Sequence, residues 1–191
     1  MKSIIIGTAL IIAATPVLAQ DAYELDPSHT QVVFSVDRFG FTTIFGSFMD
    51  AGGTVLLDAE NPENSSVTAQ VETASVFLGH PTRDQHVAGQ HWLNAEANPQ
   101  LTFDSTRVSV TGENTAEVTG MLTLWGESRE VTFDVTLNQL ARDPATQRQA
   151  AGFTLTGMID RSDWGHTTAS ALVGSEIGIR IEALAHLRED E

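Results

Sequence analysis

"EVTFDVTLN", residues 130–138, alternates without a break. Val131, Phe133, Val135 and Leu137 fall on one side, and Glu130, Thr132, Asp134, Thr136 and Asn138 fall on the other. A period of two is the signature of a strand with one dry and one wet face. At 3.6 residues per turn a helix would scatter the same residues around its axis. The pattern recurs in both directions along the chain. Val32, Phe34 and Val36 alternate with Val33, Ser35 and Asp37. Val118, Gly120, Leu122 and Leu124 form a third copy, Phe153, Leu155, Gly157 and Ile159 a fourth, and Ile177, Ile179 and Ile181 a fifth. Weaker copies lie near 45–57, 67–76 and 101–110.

The reading gives eight long strands and a short one at 23–25. Turn signals separate them: Asn61-Pro62, Gly112-Glu113-Asn114, Trp125-Gly126-Glu127 and Asp143-Pro144. Short connections make neighbours antiparallel. Many one-sided antiparallel strands in one domain imply an all-β sandwich or a closed barrel.

Residues 1–19 stand apart. Met1-Lys2 gives a charged start, Ile4 to Ala14 is a short apolar run, and Val17-Leu18-Ala19 follows Pro16. This is the composition of a secretory signal peptide cleaved after Ala19, too short for a stable span. The other reading of the same run is an uncleaved anchor. Removal of 19 of the 191 residues leaves 172, the size of one domain, residues 20–191. Lys2 is the only lysine, so cleavage moves the formal charge from −15 to −16. So acidic a chain repels nucleic-acid phosphates and anionic membrane surfaces. With no cysteine, thiol catalysis and thiolate metal sites are excluded, and an exported chain must hold itself together by its core.

"HPTRDQHVAGQHW", residues 80–92, breaks the alternation. Thr82 and Gln85 fit a capping box, Ala88, Trp92 and Ala95 repeat at helical spacing, and Asn98-Pro99 ends the segment. One short helix between two strands is expected. His86 and His91, five apart, point about 140° away from each other, unlike the paired ligands of a zinc helix. They read as polar residues of an exposed helix, with His86 free to bond backbone or Asp84. No nucleophile elbow, phosphate loop or dinucleotide fingerprint is present. Arg161-Ser162-Asp163-Trp164-Gly165 has two readings: a turn locked by an Arg–Asp pair with a buried ring, or a pocket mouth.

The order of these elements resembles a known family. Asp26-Pro27-Ser28-His29-Thr30 comes first, then Phe45-Gly46-Ser47-Phe48, Thr82-Arg83-Asp84 with His86, His91-Trp92-Leu93, and Asn98-Pro99 before Phe103. Gly120 to Gly126, Arg161 to Gly165 and Val173-Gly174-Ser175-Glu176-Ile177 complete it. The set is similar to the YceI-like family of exported, lipocalin-like, polyisoprenoid-binding proteins, over residues 23 to about 182. The resemblance implies an antiparallel eight-stranded lipocalin-like barrel, closed at one end by the helix-bearing connection. It implies a long isoprenoid or similar amphiphile inside, a dimer in several members, and no established catalytic set. Two places depart from it: Gly79-His80-Pro81, where many relatives have a polar turn, and Trp125, at a position that is often histidine.

The residues and the resemblance lead to one set of expectations. Phe34, Val36, Phe45, Phe48, Val71, Trp92, Phe103, Leu122, Leu124, Phe133, Val135, Phe153, Leu155, Ile177 and Ile179 are the candidate ligand-binding wall. His29, Arg83, Asp84, His86, Arg161 and Trp164 are candidates for the mouth and headgroup, and Trp92 is expected to face inward. The expected function is a periplasmic carrier of an isoprenoid lipid, with no catalytic residues, no metal and no cofactor beyond the bound lipid. Two alternatives stay open: a binder of another amphiphile, such as an isoprenoid quinone or a fatty amide, and a hydrolase or metalloprotein using His80, Asp84, His86 and His91. Intact-mass measurement of the exported protein should find a chain beginning at Gln20; a mass that retains residues 1–19 would contradict the export reading.

Overall fold

The computed structural model describes residues 20–189, so the proposed signal peptide lies outside the described residues. Eleven strands follow in order: β1 (Asp21–Leu25), β2 (Gln31–Arg38), β3 (Thr42–Phe48), β4 (Ala51–Leu57), β5 (Ser66–Glu72), β6 (Val76–Phe77), β7 (Gln100–Val110), β8 (Thr115–Leu124), β9 (Glu127–Arg142), β10 (Gln149–Asp160) and β11 (Val173–Leu187). One α-helix, α1 (Pro81–Ala88), lies between β6 and β7.

The eleven strands make eight staves. β11 pairs with β2 through Val173 to Glu182 and with β1 through Ala185 to Leu187. β1 and β2 are therefore one stave, interrupted at Asp26–Thr30. β3 and β4 form the next, pairing with β2 and β1 respectively. β5 and β6 form the third, against β4 and β3. β7, β8, β9, β10 and β11 follow as single staves, each antiparallel to the one before. The β1–β11 pairing closes the sheet into an eight-staved up-and-down antiparallel barrel, as the family resemblance implies, with neighbours antiparallel as the short connections indicate.

Alternation holds around the wall. Buried residues pack in two clusters, one toward each end. Leu101, Leu122, Leu124, Ile159 and Trp164 form a cluster at the end carrying α1. Tyr23, Ala151 and Ala185 form another at the opposite end. Two details of the sequence reading are corrected. Proline at the first helical position moves the cap of α1 to His80, with no side-chain cap bond, so Thr82 and Gln85 do not make a capping box. The helix also ends at Ala88 with Gly89 as its cap, and turns carry the chain through Trp92 and Ala95.

The end away from α1 is tied by a polar clasp. His186, 5% exposed, places Nε2 3.0 Å from Asp143 Oδ2, and Thr146 Oγ1 lies 3.2 Å from the same nitrogen. Its other nitrogen faces Asp26 Oδ2 at 4.0 Å. Asp26 accepts hydrogen bonds from the Ser28 hydroxyl and backbone, and His29 Nδ1 lies 2.8 Å from it. The Ser28 hydroxyl first, then His29, lower the Asp26 pKa to about 2. Asp143 is held well below the usual carboxylate range, first by His186.

A carboxylate with a depressed folded pKa stabilises the fold fully above its unfolded value, about 3.9, and loses that contribution as the pH falls through the folded value. Asp26→Asn should therefore lower stability at pH 7. Denaturant unfolding should show the gap between variant and wild type narrowing below about pH 4 and closing near pH 2. A gap independent of pH would show that the Asp26 charge contributes nothing.

Candidate functional site: an apolar chamber under an aromatic lid

The barrel is hollow. A cavity of about 980 Å³ runs through it, at the top of the range of ~300–1,000 Å³ for small-molecule sites. It is elongated: the 12 residues of β10, rising about 3.3 Å each and tilted by about 40°, give a wall about 30 Å high. Val32, Phe34, Val36, Ile44, Phe48, Val71, Phe103, Leu122, Leu124, Val135, Phe153, Leu155, Ile177 and Ile179 line it. Charged and imidazole side chains reach it only near its ends. Arg38, His80, Arg83, His86, Arg161 and His166 stand at the α1 end, and Glu113 stands at the other.

Fourteen of the fifteen expected wall residues border this cavity. Phe133 does so by an edge, because its ring is only 4% exposed and packs against Phe103 with centroids 5.4 Å apart. Phe45 is the correction. It pairs with Ser35 and stands outside, 66% exposed. Ile44, Gly46 and Phe48 are the inward residues of β3; Phe45 and Phe48, three apart on one regular strand, cannot share a face.

The expected mouth residues divide. Arg83, His86 and Arg161 line the cavity. Asp84 instead accepts the backbone N–H of Leu78 at 2.8 Å and ties down the start of α1. His29 belongs to the distant clasp with Asp26. Trp164, 5% exposed, is a buried plug whose Nε1 donates to Leu122 O at 3.2 Å. The Arg161–Trp164 knot is thus a locked turn and a cavity wall at once. Its lock is not an Arg–Asp pair: Asp160 accepts from the Ser162 backbone and hydroxyl, and from the Ser175 hydroxyl.

Sequence reasoning missed His166. Trp92 is inward as expected, and its carbonyl accepts from Trp125 Nε1 at 2.7 Å. Trp125 stacks on His166, centroids 4.4 Å apart and planes 10° apart, and Trp92 lies 5.9 Å from the same ring. The stack fastens the lid, the connection carrying α1, to the β8–β9 turn. Trp125 sits there at φ 50, a left-handed backbone that costs a bulky residue about 1–3 kcal/mol and that its ring contacts offset. A tryptophan in that turn was the one signal in the sequence.

Arg161 holds the stack from behind. It is 3% exposed. Its guanidinium donates to the carbonyls of Gly174, Val173 and His166, and Nη1 donates to His166 Nδ1 at 2.9 Å. Because arginine only donates, Nδ1 is the acceptor and the imidazole proton sits on Nε2. That nitrogen is buried with no hydrogen-bond partner. Burial first, then the Arg161 charge, lower the His166 pKa. Burial also lowers that of Arg161, opposed by Asp160. Among the described residues, no three His, Asp or Glu side chains are arranged to hold a metal ion.

A closed eight-staved barrel around an elongated apolar chamber, with polar groups gathered at its ends, is a lipocalin-like architecture. The YceI-like domain model matches residues 23–185, and the chain belongs to that family, as the order of its motifs indicated. A UPF0312 protein of Pseudomonas putida is 36% identical over 160 residues, covering 84% of this chain and 83% of its own. The crystal structure of Burkholderia cenocepacia BcnA is 26% identical, with a TM-score of 0.76 over 84% of this chain and 98% of that one. A polyisoprenoid binding domain from Saccharophagus degradans, implicated in plant cell wall breakdown, shares the fold at 12% identity, with a TM-score of 0.69 over 88% of this chain and all of its own.

A histidine whose folded pKa lies below its unfolded value, about 6.5, leaves stability untouched above that value. Below it the unfolded chain takes up a proton that the folded imidazole refuses, so stability falls with pH down to the folded pKa. His166→Gln, neutral at every pH, should remove this part of the decline when unfolding is followed from pH 8 to 5. An unchanged decline would show that His166 does not titrate against the fold.

Proposed function

We propose that this protein is an exported, periplasmic binder and carrier of a long-chain isoprenoid lipid, and not an enzyme. The observation that carries the reading is the chamber: long, lined by apolar side chains through its middle, with charge only near its ends. A buried carboxylate or ammonium in that middle would lack a partner, whereas a hydrocarbon would replace the missing packing. The polar groups give the cargo a direction. The head lies at the α1 end, beside Arg83, His86 and Arg161, and the tail runs toward Tyr23 and Ala151. The Saccharophagus domain of the same fold, a polyisoprenoid binder, supports an isoprenoid over other amphiphiles. No metal and no cofactor other than this lipid is required.

The test is organic extraction of the protein purified from its native envelope, followed by mass spectrometry. An isoprenoid series, at about one molecule per chain or less, is expected. Extracts holding only straight-chain fatty amides or fatty acids would overturn the isoprenoid assignment and leave a carrier of another amphiphile. Extracts free of lipid, from a protein that also takes up none when incubated with it, would overturn the carrier reading.

A further inference from the structure

The lumen is kept open by glycine. Three inward phenylalanine rings pack against the wall, each over a glycine of a neighbouring stave. A Cβ built on Gly46 would stand 2.3 Å from Phe34 Cζ and 2.8 Å from Cε1. One on Gly157 would stand 2.6 Å from Phe133 Cδ1 and 3.0 Å from Cε1. One on Gly120 would meet Phe103 at 2.5 Å, but also the carbonyl of Asp104 at the same distance, so backbone packing alone requires glycine there. At Gly46 the three nearest atoms all belong to the ring, and at Gly157 the two nearest do, with a carbonyl third at 3.5 Å. These two glycines are seats for side chains.

The seats fall on one row. Gly157 pairs with Ile179, Ile179 with Phe34, and Phe34 with Gly46, along one ladder row that crosses four staves. The rings have little room to move sideways. Phe48 lies 5.6 Å from Phe34, and Phe103 lies 5.4 Å from Phe133, centroid to centroid. A methyl group in either seat would push its ring about 1 Å inward to restore ordinary contact at ~3.5 Å. The bore beside that ring would narrow by that amount.

We propose that Gly46 and Gly157 set the bore of the lumen and so select a methyl-branched chain over a straight one. The inference rests on the carrier reading above and adds its selectivity. A branched chain is wider than an n-alkyl chain by its methyl groups, and the seated rings provide that width. The residues act through Phe34 and Phe133, whose rings touch the cargo side of the wall.

The test uses phytanol and hexadecan-1-ol, which share one main chain and differ in methyl branches. Delipidated protein is titrated with each by displacement of a fluorescent lipid probe. Wild type should prefer phytanol. Gly46→Ala and Gly157→Ala should each lower the phytanol-to-hexadecanol affinity ratio by about tenfold, the scale at which a pocket discriminates one methylene. They should leave hexadecanol binding within about twofold, because the narrower chain needs no more bore than remains. Truncating the displaced ring, in Gly46→Ala/Phe34→Leu and Gly157→Ala/Phe133→Leu, should restore the ratio. The two seats lie on different staves, so if one alanine variant fails to fold, the other still tests the proposal.

Equal loss of both alcohols, an unchanged ratio, or a lowered ratio that ring truncation leaves low would each overturn the role of the seats. Wild type that binds both alcohols but prefers hexadecanol would overturn the branched-chain selectivity while leaving a carrier. Wild type that binds neither would overturn the carrier reading, and this inference with it.

Discussion

Closure of the sheet by β11 is the constraint on which the rest of the molecule depends. One strand of 15 residues serves β10 on one side and both halves of the first stave on the other. With Tyr23, Glu24 and Leu25 bonded to Ala185, His186 and Leu187, the sheet has no long open edge, and its wall hydrogen bonds are satisfied without help from the interior. That frees the inward side chains from having to fill the space. An open sheet of this size would have to bury its apolar face against a second layer. A closed one can instead enclose a chamber.

The sequence marks this closure with a stave that bends rather than reverses. Asp26-Pro27-Ser28-His29 carries the residue types of a turn, and the backbone N–H of Ser28 is held by the Asp26 carboxylate. Yet β2 continues along β11 where β1 leaves it. The same happens at Met49-Asp50, where Ser75 Oγ accepts the backbone N–H groups of both residues, and at Thr73–Ser75. Local turn chemistry does not distinguish a chain that kinks from one that folds back, because both need the same capped backbone groups. Only pairing with a distant strand decides, and pairing is not written locally. Alternation and short connections therefore showed a one-sided antiparallel sheet, and the family resemblance made it a barrel, while the division of three staves was not legible.

The candidate site was legible in the same uneven way. Period two places thirteen expected residues on the cavity wall because each strand declares its own inner face. Phe45 was misread because hydrophobicity was allowed to override phase, and Ile44 and Gly46 show the true one. Gly46 looked uninformative alone; its meaning lies in Phe34, across the ladder. His166 sits in Gly-His-Thr-Thr, a stretch with no pattern, and is made significant by Arg161 behind it and Trp125 against it. Such residues acquire a role through the fold, and no spacing rule could have found them.

A hollow barrel gives up the packing that holds most domains of this size together. This chain has no disulfide to compensate. What remains is concentrated at the two ends. At one, the buried Trp164 plug, the Trp125–His166 stack and the Arg161 guanidinium, bonded to neutral carbonyls rather than to a carboxylate, fix the lid. At the other, Tyr23 packs with Ala151 and Ala185 beside the Asp143–His186 clasp. Between them the wall carries apolar side chains that leave the middle of the barrel open. Stability and cargo capacity are thereby assigned to different levels of one structure. The ends can be tightened against unfolding without narrowing the bore, and the row through Gly46 and Gly157 can change the bore without loosening the ends. A bound chain would join the two, since it supplies packing to the level that lacks it and stabilises the folded state by mass action.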